Sequence, residues 1–334
     1  MNFAKGEKVN TGVLPKKNIM WSPRVGFNWD LYGDRSLQIR GGTGIFTGKI
    51  PYVWIVSQSG DNGMLQVTQA FNMYTSTGAS SGVSTPGPFN PDPAAYRPAT
   101  VPAAGTIVPT SVTAMDPNFT FPQTWKSSLA LDTKLPWGIV GTIEAIFNRD
   151  INTATFRSPN YIDPQPLNTT GYPDNRLIFG STVPTRFINT LNANQIPTAN
   201  GSVGFTPVVI DNSSKGYYAS ITFQLLKTYT KGFSASLAYT KSLAGNLHDG
   251  DGDQALGSYQ GTQQVNGLNN PVLSYAQYVV PDRVVGTLSY RKEYLKHLGT
   301  TISLLYNGSA AYRFSYVYSG DFNRDGVNGN DLIF

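Results

Sequence analysis

The chain has 334 residues, 12% of them aromatic and only 13% charged, where an ordinary soluble domain has about 25% charged. It contains no run of 18 apolar residues and no cysteine, which excludes membrane-spanning helices, thiol catalysis and thiolate metal sites. The net charge of +5 is spread along the sequence without a basic cluster, so no nucleic-acid partner is expected.

The first element runs from Arg24 to Leu31, with Val25, Phe27, Trp29 and Leu31 alternating against Arg24, Gly26, Asn28 and Asp30. Period-2 alternation predicts a strand between two different environments. A turn at 32–35 leads to a partner strand, 36–46. A long connection follows, from about Thr47 to Thr120. Within it, the apolar stretch 51–56 reads either as a segment folding over the barrel mouth or as a continuation of the strand. The stretch 75–117, rich in Ser, Thr, Pro, Gly and Ala, suits an adaptable surface segment. Tyr52, Trp54, Tyr74 and Tyr96 are the residues placed to stack on a ligand there.

A second hairpin is predicted from 125–133, the turn 134–138 and a return strand carrying Ile139, Ile143, Ala145 and Phe147, before a connection at 150–215. The third pairs 217–226 with 233–241, and the connection 242–278 follows. The fourth joins 283–291 to 298–307, and a tail begins at Gly308. The hairpin turns are short, and the long connections therefore share one end of the sheet. Compact soluble domains rarely contain structureless connections beyond about 15 residues. Transmembrane barrels do so routinely, with short periplasmic turns, long extracellular loops and strands of about 9 to 11 residues. The expected fold class is therefore all-β, an antiparallel up-and-down transmembrane barrel in the bacterial outer membrane, with about eight strands of a larger barrel present. Trp21, Tyr32, Trp125, Trp137, Tyr229 and Tyr294, at hairpin ends, are candidate interfacial aromatics. The polar row Arg24, Asn28, Arg40, Lys126, Glu144, Gln224 and Arg283 is expected to face the lumen. Residues 1–10 are polar and lack the apolar core of a signal peptide, so all 334 residues read as one partial barrel domain of a longer protein.

The segments at 21–30 (WSPRVGFNWD) and 38–48 (QIRGGTGIFTG) resemble the barrel of TonB-dependent receptors, most of all the Oar-like members related to SusC-like importers. Segments 121–126, 214–219, 239–242 and 320–326 extend the resemblance over most of the chain. It implies a 22-stranded barrel with an N-terminal plug, powered by a TonB complex that contacts a short box near the N-terminus; plug and box are not found in this sequence. The expected function is import of large nutrients, such as an oligosaccharide, peptide or metal chelate, without enzymatic activity. Outer-membrane lipid, the TonB complex and a surface lipoprotein are the expected partners. The alternative is a secreted or surface β-sandwich that binds carbohydrate or acts as an adhesin, whose loops should be short and distributed over both ends.

Little in the sequence suggests catalysis. There are two histidines, His248 and His297, and no Gly-x-Ser-x-Gly elbow. No organic cofactor is expected. Two acidic segments are candidates for calcium: His248 with Asp249, Asp251 and Asp253, and the terminal segment from Asp321. In the second, Asp321, Asn323, Asp325 and Gly326 match positions 1, 3, 5 and 6 of the EF-hand loop. Leu332 holds the twelfth place, with Asp331 one before it. The expected ligand set is Asp321, Asn323, Asp325, the carbonyl of Val327, and Asp331. The competing reading is an Asx-rich turn held by its own side chains.

Overall fold

In the computed structural model, which describes residues 1–64, 89–96, 100, 103–249, 252–295 and 297–333, the alternating segments become one antiparallel sheet. Its eight long strands are β1 (Arg24–Asp30), β2 (Leu37–Thr47), β3 (Gln123–Leu135), β4 (Ile139–Arg157), β5 (Tyr217–Thr230), β6 (Phe233–Asn246), β7 (Asp282–Tyr294) and β8 (Leu298–Ser309). They lie side by side in chain order, an up-and-down arrangement. β1 pairs only with β2 and β8 only with β7 among the described residues, so the arc is open. A single sheet with its long loops at one end is not a sandwich, and the adhesin alternative loses its architectural basis.

Register gives each face a chemistry. Phe27, Gly41, Leu129, Ala145 and Ile221 are successive cross-strand partners, as are Trp29, Ile39, Leu131, Ile143, Phe223, Tyr239 and Val284. These side chains share one face, and nothing packs over it: Phe27, Leu129, Phe223 and Leu304 are all exposed. On this face of β4 to β7, charge occurs only toward the two ends, at Arg149, Lys241 and Asp282 on one side and Lys227 and Lys292 on the other. Such a band is a liability in water and a match for hydrocarbon. The Phe27 ring lies over Gly41, where an added Cβ would meet it at 3.0 Å, so the glycine keeps room for the aromatic next door. The opposite face carries the row Asn28, Arg40, Ala130, Glu144, Thr222, Thr240 and Arg283. There Arg40 bridges Asp132 at 2.9 Å and Glu144 at 3.2 Å.

The hairpin turns are short for local reasons. Lys231 and Gly232, with φ of 51° and 87°, connect Thr230 to Phe233 in the left-handed geometry that matches strand twist. A Cβ at Gly232 would sit 2.3 Å from the Arg291 carbonyl oxygen, so only glycine fits. In the first turn, the Asp30 carboxylate accepts the N–H groups of Gly33 and Arg35.

At the other end the connections fold together into a head with its own core of Ile50, Trp54, Met115, Phe156, Tyr161, Phe179, Val208, Ile210, Tyr259 and Leu268. β4 is 19 residues long because its last turn-free stretch, beyond the expected loop start at Asp150, continues into this head. There it pairs with the strand Thr206–Ser213, which in turn runs parallel to Ser111–Met115. The apolar segment that begins at Pro51 is a helix, Tyr52–Gly60, rather than a continuing strand. No described helix is long and apolar enough to cross a membrane.

Candidate functional site

At the loop end the connections are tied together by buried and half-buried polar side chains. Arg157, at the end of β4, bridges three segments: its guanidinium contacts Glu7, Asp116 at 3.2 Å and Asp211 at 3.0 Å. Gln58 accepts the Met115 N–H and donates to the carbonyls of Thr11 and Val13, holding the N-terminal segment against the helix. Asn269 exchanges two hydrogen bonds with the Ser158 backbone and accepts the Tyr259 hydroxyl. Arg176, fully buried, pairs with Asp174 and lies against the rings of Tyr318 and Phe322, which stack with centroids 4.5 Å apart. The mouth is therefore a pre-formed assembly and not a set of independent loops.

Of the aromatics nominated to stack on a ligand, Tyr52 is exposed on its helix. Trp54 is 6% exposed and meets Phe156 edge-on at 5.2 Å, so its ring is core and is withdrawn from ligand contact. Tyr96 is half-buried and its hydroxyl accepts the Asn90 N–H. Tyr74, most of the polar stretch 75–117 before residue 103, and Asp251 lie outside the described residues. A cavity of about 560 Å³ opens instead between the third connection and the C-terminal tail, lined by His248, Asp249, Thr262, Tyr275, Arg313 and Phe314 among others. Arg313 stands 3.9 Å over the Tyr275 ring, and Tyr312, Phe314 and Tyr316 project exposed rings nearby. The spacing of those three aromatics at every second position was the signal in the sequence. It lies beyond the last strand, where alternation no longer marks a membrane crossing.

His248 is not free to hold a metal. Its Nε2 faces the Thr155 hydroxyl at 2.9 Å and its Nδ1 the Thr262 hydroxyl at 2.6 Å, with the ring edge-on to Phe156. Burial lowers its pKa to about 4, so the imidazole is neutral. His297 is exposed in the last hairpin turn.

The terminal acidic segment is brought together around one turn. Asn323 Oδ1 accepts the Asp325 N–H, Asp325 Oδ1 accepts the Val327 N–H, and Asp325 Oδ2 accepts from the amides of Asn323 and Asn330. Asp321 Oδ2 accepts the Gly326 N–H, and Asp331 Oδ2 those of Phe322 and Asn323. Burial pushes the Asp325 carboxyl up to about 6 and Asp331 upward as well. Among the described residues no three acidic or histidine side chains converge as a metal site.

These features meet the comparisons with known proteins at one point, the barrel itself. Residues 1–320 match the family described as the outer membrane beta barrel domain. The chain belongs to that family. It is an outer-membrane protein, and the uncharged apolar band of its sheet is the surface that faces lipid. Among solved structures this outer membrane barrel is similar to the outer membrane transporter YddB from Escherichia coli, with 8% identity and a TM-score of 0.37. The similarity covers 83% of this chain and 27% of that one, so the chain spans well under half the transporter's length. No curated protein matches it. In this outer membrane barrel Tyr32, Trp137, Tyr229 and Tyr294 lie at the end of the short hairpin turns, and Trp21 and Trp125 at the end of the long connections. All six have exposed rings, as side chains at a membrane interface do.

Proposed function

We propose that this barrel domain forms part of the wall and mouth of a TonB-dependent importer, which takes a large nutrient such as an oligosaccharide, peptide or metal chelate across the outer membrane. The observation that carries the reading is the open arc with a polar inner face. Strand edges left unpaired in lipid are not tolerated, so β1 and β8 must be met by further strands. A barrel of many more than eight strands encloses a lumen that its own side chains do not fill. Such a lumen needs a plug, and opening a plugged pore needs energy from elsewhere. The resemblance of segments 21–30, 38–48, 121–126 and 320–326 to Oar-like and SusC-like receptors supports TonB as that source. The domain itself supplies wall, lumen charge and mouth and no catalysis. The cavity beside Tyr275 and Arg313 is a suitable first contact for a polar, ring-bearing solute, and a surface lipoprotein would cap the same end.

Growth tests the reading. A strain lacking this protein is screened on oligosaccharides and peptides for a lost substrate, and uptake of that substrate is then measured after deletion of TonB. Loss of uptake in both strains is expected. Uptake that needs the protein and persists without TonB would overturn the energised mechanism.

A further inference from the structure

The segment from Asp321 to Asp331 buries more negative charge than its surroundings neutralise. Asp325 and Asp331 are both 0% exposed and form no ion pair within 4 Å among the described residues. Asp321 has the Arg186 guanidinium 4.0 Å away. Arg176 also acts on Asp331 but is already paired with Asp174, so four carboxylates stand against two guanidiniums and two negative charges are left over; buried charges are as a rule paired or bound to a metal.

A second observation is independent of the acidic cluster. Oδ1 of Asp321, Oδ1 of Asn330 and Oδ1 of Asp331 are each buried without a hydrogen-bond partner, and Asn330 and Asp331 are 2% and 0% exposed. Buried acceptors are normally satisfied, so three in one short segment call for a missing donor or cation. The other polar atom of each of these groups is anchored on the same turn. Asp321 Oδ2 takes the Gly326 N–H, Asn330 Nδ2 donates to Asp325 Oδ2, and Asp331 Oδ2 takes two backbone N–H groups. Each side chain is thereby fixed with one oxygen left over.

We propose that this segment binds one calcium ion through the Oδ1 atoms of Asp321, Asn330 and Asp331. The donors are oxygens only, two carboxylates and one carboxamide, which is the chemistry of a hard cation completed by carbonyls and water. Asn323 and Asp325 are positioning residues, since their oxygens already accept from the turn's own N–H groups and amides. The ion sits at the junction of the head: the carbonyls of Asn323, Asp325 and Asn330 accept from Phe179 N–H, Tyr161 hydroxyl and Gln264 N–H. Calcium would therefore lock the tail to the second and third connections and make the order of the mouth calcium-dependent.

The test uses the full-length protein in detergent, stripped with a chelator and then equilibrated with calcium, alongside Asp331→Asn and Asp321→Asn. Each variant is expected to bind one calcium fewer per chain than the parent. Calcium should also raise the melting temperature of the parent by several degrees more than that of either variant. Asp321 lies at the edge of the turn with its side chain 20% exposed, so Asp321→Asn decides alone if Asp331→Asn does not fold. A parent that binds no calcium, or variants that keep the parent's count, overturns the site. The second outcome covers calcium held elsewhere in the protein.

Discussion

Single side chains decide how firmly the mouth is held. His248 has its ring nitrogens engaged by two threonine hydroxyls and its ring against Phe156, and Asp249 beside it pulls weakly the other way. Its folded pKa of about 4 lies below the ordinary 6.5. The unfolded chain therefore takes up the proton first on acidification. The stabilisation is complete above pH 6.5 and is lost as the pH falls toward 4, on the order of 3 kcal/mol in all. The Asp325 carboxyl, raised to about 6, pulls the other way over the same range, so the readout is the difference in melting: between pH 7 and pH 5 the head of the parent should lose stability relative to His248→Gln, and an equal change in the two would reject His248 as its origin. Arg157 makes a second residue-scale prediction. Arg157→Met keeps the aliphatic stem and leaves Glu7, Asp116 and Asp211 facing one another. Removing a half-buried hub of this kind should cost about 2 kcal/mol. Hydrogen exchange should then open the N-terminal segment first, and unchanged protection there would contradict the bridging role.

The strand pairs place apolar and polar chemistry on opposite sides of the wall. Leu129→Arg and Phe223→Arg put charge in the middle of the lipid face, where the cross-strand partners are uncharged, and each should cost about 2 to 4 kcal/mol in equilibrium folding into lipid. Ser128→Arg, one residue away on the polar face, should stay within about 0.5 kcal/mol. If the three behave alike, the face assignment fails. The strands were legible in the sequence because a wall between lipid and lumen writes a period of two into every crossing; the predicted spans from the second hairpin onward fall inside those observed, while 24–31 and 36–46 each overrun the observed strand by one residue at the first turn. The head was not legible in the same way. Val53, Ile55 and Val56 favour strand, yet this stretch is helical because Trp54 packs into Phe156 and Gln58 into the Met115 backbone. β4 overran its expected end because its continuation finds a partner in Thr206–Ser213, some fifty residues later. The terminal acidic motif could be recognised, but which of its oxygens would be used by the turn itself depends on contacts no spacing rule contains.

At the scale of the whole molecule, one surface is built for hydrocarbon, one for a wet lumen, and one end is organised as a mouth. The central claim is that these eight strands cross the outer membrane with the Phe27, Leu129, Ile221 and Leu304 side facing lipid. The chain has no cysteine, so single cysteines can be placed at will. The decisive measurement is labelling by a membrane-impermeant maleimide of cysteines at Leu129, Ile221 and Leu304, and at their neighbours Ser128, Thr222 and Ser303, in outer membranes of cells carrying the full-length protein. The first three positions should be protected and react only after the bilayer is dissolved, while the second three react through the water-filled lumen. Equal reactivity at all six positions, or the reverse pattern, would contradict the account.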